Sequence, residues 1–234
     1  MRLPFQLLHS TIRRLGYEVV PRPLTRLVDG YAPDVVLDVG ANVGQFALEL
    51  RRYGYRGRIV SFEPHPEAFR LLRASAEGDE RWSVRNEALG VEEGILDLHL
   101  GNKDYTSSLL PPSDTLTTYA DVQFLGTTPV SVRRLDHVYE DVCRPGKKVA
   151  LKVDTQGYEQ AVIEGAGTVL DRIGAVLLEV SFVPLYVGEP AAEVVIEQLR
   201  GRGFVPAYLT PAFTEAGTRR WLQADVLFLR EASP

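Results

Sequence analysis

The chain carries an Asp38-Val-Gly-Ala-Asn-Val-Gly44 turn directly after the apolar run Val35-Val36-Leu37. Gly40 can let the backbone approach a ligand closely, and Gly44 can let a helix start tightly against the strand. The N-terminus of that helix would present free N–H groups and partial positive charge. Dinucleotide sites use G-x-G-x-x-G to cradle a pyrophosphate. The spacing here is G-x-x-x-G, with Asp38 ahead of it, and an acidic strand end suits a cationic ligand better than a pyrophosphate. A tight strand–helix turn with no ligand is the plainer alternative.

S-adenosylmethionine fits that description, because its sulfonium and amino groups are positive and it carries no phosphate. A second acid supports a nucleoside. The run Ile59-Val60-Ser61-Phe62 ends in Glu63, placed to accept hydrogen bonds from two ribose hydroxyls. NAD contains the same ribose, so Glu63 alone does not choose between the two. A surface acid ahead of a helix N-terminus is the structural alternative.

A third cluster follows the apolar run Val149–Leu151: Lys152, Asp154, Gln156 and Glu159, with Glu179 after a later strand. Asp154, Glu159 and Glu179 can serve as a general base, as a clamp on an acceptor hydroxyl, or as hard oxygen ligands for Mg²⁺. Asp154 is the first candidate for the base. Asp154 and Glu159 can equally cap the following helix. Lys152, in a buried strand, needs a partner, and Asp154 or Glu179 would supply one. No H-x-x-H or H-E-x-x-H pattern exists, so no histidine metal site is expected. His65 adjoins the ribose acid, His99 should face solvent from a strand, and His137 sits in a charged helix over 136–141.

These residues need a scaffold. Short apolar strands over 35–39, 58–62, 82–89, 95–100, 149–153, 175–180, 204–209 and 224–229 alternate with helical stretches over 45–53, 66–76, 157–170 and 192–200. That alternation predicts an α/β fold around a mainly parallel sheet covered by helices on both faces, with ligands at the carboxyl ends of strands. Residues 3–15 predict an amphipathic helix, so 1–34 read as an N-terminal helical extension and 35–234 as the main domain. Residues 101–129, rich in Ser, Thr, Pro and Tyr, show no clear period and read as a long lid or substrate loop.

Composition bounds the rest. Twenty-six basic against 31 acidic residues in 234 give a net charge of −5, without the electrostatic footprint expected for nucleic acid or an anionic membrane. One cysteine, Cys143, allows no intrachain disulfide. No apolar run approaches the ~20 residues of a membrane span. The first residues lack the unbroken apolar core of a signal peptide, so the expected compartment is the cytoplasm.

From Val35 to Leu229 the chain resembles the FkbM family of S-adenosylmethionine-dependent methyltransferases. The resemblance is carried by Asp38–Gly44, Phe62-Glu63-Pro64, Ala88-Leu89-Gly90, Ser107-Ser108-Leu109, Leu135-Asp136, Lys152-Val-Asp-Thr-Gln-Gly-Tyr-Glu159, Gly165-Ala166 and Leu178-Glu179-Val180. It implies a Rossmann-like class I methyltransferase fold: seven strands, the last antiparallel. It also implies that Asp38, Gly40, Asn42, Gly44 and Glu63 line the cofactor site, with Ala88 and Asp154 beside them. The implied reaction is methyl transfer to a hydroxyl of a sugar or polyketide-like natural product. Ser107, Ser108, Gln156 and Tyr186 are the expected acceptor contacts, and a homo-oligomer is possible. An NAD(P)-dependent oxidoreductase and a catalytically silent cofactor-fold module are the competing readings.

Overall fold

The computed structural model describes residues 23–103, 106–120 and 122–231. The expected leader helix over 3–15 lies outside the described residues. A helical turn, α1 (Pro23–Arg26), runs into a π turn over Leu27–Tyr31. The next strand, β1 (Val35–Val39), is β-branched and apolar on both faces, and all of it is buried, Asp38 included.

Alternation then proceeds as the sequence predicts. Helix α2 (Gln45–Arg52) leads to β2 (Arg58–Phe62), α3 (Pro66–Ser75) and β3 (Trp82–Arg85). His65 caps α3 by accepting from the Ala68 N–H at 3.2 Å, with Pro66 at the first helical position. The short β4 (Ala88–Leu89) and β5 (Gly94–Gly101) precede α4 (Asp114–Ala120) and β6 (Phe124–Arg133). After α5 (Leu135–Val142) come β7 (Val149–Val153), α6 (Glu159–Gly165), a 3₁₀ turn over Gly167–Arg172 and β8 (Ile173–Ser181). Helix α7 (Ala192–Gly201), β9 (Phe204–Thr214) and β10 (Trp221–Arg230) follow.

Seven strands form the main sheet in the order β3-β2-β1-β7-β8-β10-β9. Neighbours from β3 to β8 are parallel, and β10 runs antiparallel to both β8 and β9. The expected seven-stranded sheet with an antiparallel last strand is therefore present. One face packs Leu37, Leu151 and Leu178 against Leu135 of α5, Val162 of α6 and Leu199 of α7. The other packs Val36, Ala150 and Ala175 against Leu24, Leu50 of α2 and Leu72 of α3. Each fully buried leucine contributes about 1.5–3 kcal/mol, so both faces hold the strand ends firmly.

Two expectations are corrected. The strand expected over 82–89 is broken at Asn86, whose side-chain amide donates to the carbonyls of Glu63 and Pro64. The two halves belong to different sheets, because β4 joins β5 and β6 in a second, three-stranded sheet of order β4-β6-β5. The loop expected over 101–129 contains α4 and the start of β6. This insertion packs its own small core, Leu116 and Val122, against Leu185 and Tyr186 from the segment after β8. Its strand is mostly exposed and carries Gly126 and Pro129, so no apolar period marks it.

Candidate active site

Strands β1 and β7 end side by side, with Val39 opposite Val153. The next residues, Gly40 and Asp154, therefore meet at the carboxyl edge of the sheet. The Asp154 N–H donates to the Val39 carbonyl at 3.1 Å. Gly40 has φ +72°, and a Cβ there would lie 1.8 Å from the Asp154 carbonyl oxygen. Contact between two chain segments thus requires this glycine, whatever a ligand adds. Gly44, at φ +94°, is required by Trp82, whose ring would lie 2.8 Å from a Cβ.

A cavity of about 700 Å³, its open mouth included, lies beyond this edge. Gly40, Asn42, Glu63, His65, Ala88, Ser107, Asp154 and Gln156 line it, with Val39, Phe62, Pro64, Leu89, Leu98 and Leu109 as apolar wall. Glu63 sets its polar end. Its Oε2 accepts from the Asn42 N–H at 2.7 Å, and its Oε1 accepts from the His65 N–H at 2.8 Å. Each oxygen keeps lone-pair capacity toward the cavity. Burial pushes the Glu63 carboxyl up to about 7, against the lowering pull of those two N–H groups and of Lys152.

A second cavity, about 1430 Å³ with its mouth, shares Gly40, Asn42 and Asp154 with the first. Its other walls include Gln45, Phe46 and Glu49 of α2, Lys152, Glu179, Thr210 and Asp225. Asp154 stands at the junction of the two spaces. Lys152 lies behind it, 3.7 Å from its Oδ2 and 3.2 Å from Asp38. The ammonium also donates to the Gly40 carbonyl at 2.9 Å. Burial alone would lower the Lys152 pKa, but Asp38 and Asp154 outweigh it and hold the group above its ordinary value.

The structure redistributes several expected roles. Asp38 is fully buried, lines neither cavity and is ion-paired with Lys152. Of the two expected Lys152 partners, Asp154 lies within ion-pair distance and Glu179 does not, and Asp38 is closer than either. Gly44 also lies outside both linings. Glu159 is buried, and its Oε1 accepts from the Thr155 N–H at 2.7 Å, the Thr155 hydroxyl at 3.1 Å and the Gly157 N–H at 3.2 Å. It therefore closes the turn between β7 and α6 and lines neither cavity. Desolvation lifts it to about 7. Ser108 is also enclosed, donating to the Gln156 carbonyl at 2.6 Å, whereas Ser107 lines the first cavity. Tyr186 is 2% exposed and lines neither cavity. Gln156 does line the first cavity, but its amide is engaged by protein at both ends.

Glu179 lines the second cavity. Its Oε2 accepts from Gln223 Nε2 at 2.8 Å, and burial with Asp154, Glu159 and Asp225 nearby raises its pKa well above the carboxylate range. His65 lines the first cavity, as its neighbour Glu63 does. His99 is half-buried against Phe124, ring centroids 5.5 Å apart, instead of facing solvent. His137 is exposed beside Glu93. Thr155, Tyr158, Leu98 and Leu109 are lining residues that carried no expectation. Tyr158 lies inside the Lys152–Glu159 block, so only its position there pointed to it. Among the described residues no group of three or more His, Cys, Asp or Glu converges as metal ligands. No described helix is long and apolar enough to cross a membrane.

The sheet order, with Glu63 and Asp154 just past the carboxyl ends of β2 and β7, defines a Rossmann-like fold with a strand-end site. A candidate rRNA methylase from Clostridium thermocellum superposes with a TM-score of 0.51 at 12% identity, covering 92% of this chain and 99% of that one. An rRNA methylase from Streptococcus thermophilus gives 0.48 at 15% identity, covering 91% and 98%. The methyltransferase FkbM domain profile matches residues 38–206, and the chain belongs to that family. It is 27% identical over 190 residues to the 2-O-methyltransferase NoeI of Sinorhizobium fredii, covering 77% of this chain and 76% of that protein. It is 29% identical over 153 residues to the methyltransferase sdnD of Sordaria araneosa, covering 56% and 59%.

Proposed function

We propose that this protein is an S-adenosylmethionine-dependent O-methyltransferase acting on a hydroxyl of a sugar or hydroxylated natural product. One observation carries the reading: the Asp154 carboxylate opens onto both cavities, with Glu63 inside the first. A donor seated on Glu63 and an acceptor entering from the second cavity would meet at Asp154.

The residues fit the donor. Glu63 offers two acceptor oxygens for a ribose diol, and Pro64, Leu89, Leu98 and Phe62 offer apolar surface for a flat base. The G-x-x-x-G turn over 40–44 lacks the glycine triad that cradles a pyrophosphate, which disfavours NAD. When bound, the cofactor supplies an electrophilic methyl on a positively charged sulfur. Asp154 would accept a hydrogen bond from the acceptor O–H, orient its lone pair, and take its proton as the methyl carbon–sulfur bond gives way to the carbon–oxygen bond and S-adenosylhomocysteine leaves. Lys152, 3.7 Å from Asp154 Oδ2, places a positive charge beside that carboxylate.

The acceptor class rests on the second cavity. Carboxylates of Glu49, Glu179 and Asp225 with the Thr210 hydroxyl suit hydroxyl donors, and the Phe46 ring suits the C–H face of a sugar. The name of the S. fredii relative supports oxygen as the methylated atom.

Titration calorimetry with S-adenosylhomocysteine and with NAD, followed by labelled methyl transfer to a panel of sugars and glycosylated metabolites, tests the reading. We expect S-adenosylhomocysteine to bind, NAD not to, and label to appear on acceptor oxygen. NAD binding would favour the oxidoreductase, and binding of neither would favour a silent module.

A further inference from the structure

We propose that Gln156 is a positioning residue. It holds the Asp154 carboxylate at the junction of the two cavities and ties the insertion and the 182–190 loop to the end of β7. This rests on the methyl-transfer reading above for its consequence, though not for its geometry.

The backbone supplies the first observation. Gln156 has φ +58°, in the left-handed region that a non-glycine residue adopts only when its surroundings hold it there. Gly157 follows at φ +93°. The pair turns the chain sharply after β7, so that the Gln156 side chain folds back over Asp154. Its Nε2 donates to Asp154 Oδ1 at 2.8 Å and lies 3.4 Å from Glu179 Oε2. Two carboxyl groups thus share one amide, whose N–H groups stand between them. The reverse amide orientation would set Oε1 against both carboxylates, so the pattern fixes which end is which.

The other contacts lead outward. Gln156 Oε1 accepts from the Tyr186 hydroxyl at 3.2 Å, and the Gln156 carbonyl accepts from the Ser108 hydroxyl at 2.6 Å. Tyr186 is itself fixed. Glu189 Oε2 accepts from the Tyr186 N–H at 3.0 Å, and the Tyr186 ring packs in the small core of the insertion. One glutamine therefore receives the insertion through Ser108 and the 182–190 loop through Tyr186, and passes their position to Asp154. A residue whose amide is engaged on both sides has little left for substrate, so its effect on catalysis runs through Asp154.

Three variants test this. Tyr186→Phe keeps the buried ring and removes only its hydroxyl; kcat should fall about 3–10-fold, the effect of one hydrogen bond, with KM for the cofactor within about twofold. Gln156→Leu should lower kcat about 10–100-fold while S-adenosylhomocysteine still binds within about threefold. In its crystal structure the Asp154 side chain should leave its wild-type rotamer or split between rotamers. Gln156→Glu places a third carboxyl beside Asp154 and Glu179, and should move the acid limb of the kcat–pH profile upward. A folded Gln156→Leu variant with wild-type kcat, pH profile and Asp154 rotamer would overturn the proposal. If the wild-type protein binds no S-adenosylhomocysteine and transfers no methyl group, the functional reading fails, and the Asp154 rotamer comparison still decides the role of Gln156.

Discussion

The Lys152 ammonium lies 3.2 Å from the Asp38 carboxylate, across adjacent strands in which the two residues are register partners. Asp38 is wholly buried and also accepts from the Ser61 hydroxyl at 3.0 Å. That hydroxyl in turn accepts from the Trp82 indole N–H at 3.0 Å. A polar thread therefore runs from β7 through β1 and β2 to β3, beneath both cavities. Its business end is Lys152, which donates to the Gly40 carbonyl and faces Asp154. The acid that ends β1 acts on the site through a lysine.

Lys152→Met should destabilise the protein by about 3–5 kcal/mol, because it leaves the Asp38 charge buried without a counter-charge. The double variant Asp38→Asn/Lys152→Met should recover part of that loss, since no uncompensated charge remains. Urea unfolding of the two single variants and the double variant gives the coupling directly. Additive losses would show that the pair does not interact in the way its geometry indicates.

Glu63 and Glu159 are both pushed up to about 7 by burial, from an ordinary value near 4.5. Between those values the folded state binds more protons than the unfolded chain, so stability falls as pH rises through the window from about 4.5 to 7. Each group contributes at most about 3 kcal/mol to that fall. Thermal unfolding from pH 5 to 8 should show the decline, and Glu159→Gln should flatten it. Cofactor binding has the opposite slope. The ionised Glu63 carboxylate is the better acceptor for two ribose hydroxyls, so S-adenosylhomocysteine affinity should rise through about pH 7. Glu63→Gln should weaken binding about tenfold or more and remove that pH dependence.

Gly40→Ala should cost about 3 kcal/mol or more, through left-handed strain together with displacement of the backbone. The added Cβ would lie 1.8 Å from the Asp154 carbonyl, an atom that cannot give way without moving the end of β7. Because Gly40 lines both cavities, binding and stability should fail together. Gly44→Ala meets the edge of the Trp82 side chain instead, so its loss should be smaller and mainly in stability. Calorimetric unfolding and S-adenosylhomocysteine titration of the two variants separate these outcomes.

The sheet was readable because its strands are short, apolar and buried on both faces, as in Val35–Val39 and Val149–Val153. Glu63 was readable because a strand-end acid after a glycine turn has one obvious position. The insertion was not, since β6 is exposed along much of its length and its partner Tyr186 lies far along the chain. Residue type also misled at Ser108, Glu159 and Tyr186. Each carries a group that suits a substrate, and each spends it on another part of the chain: Ser108 on the Gln156 carbonyl, Glu159 on its own turn, Tyr186 on the Gln156 amide. Local sequence shows which groups are available, while the long-range packing that occupies them is set by tertiary contacts.

Asp154→Asn should separate binding from chemistry. The amide keeps the size of the side chain and one acceptor oxygen for Gln156 Nε2, but it takes up no proton at neutral pH. We expect kcat to fall by about 10²–10⁴-fold, the usual span for a lost general base, with S-adenosylhomocysteine affinity within a few-fold of wild type. Near-normal turnover with intact binding would remove Asp154 from the proton-transfer role. The same assay with and without a chelator addresses the Mg²⁺ alternative. Because Gln156 Nε2 already stands between Asp154 and Glu179 as a donor to both, these two carboxylates are bridged by an amide where a metal ion would have to sit. Activity should therefore survive the chelator. Loss of activity that added Mg²⁺ restores would instead mean that the amide swings aside and the two carboxylates close on a metal ion, which would reassign both residues from proton transfer to metal ligation.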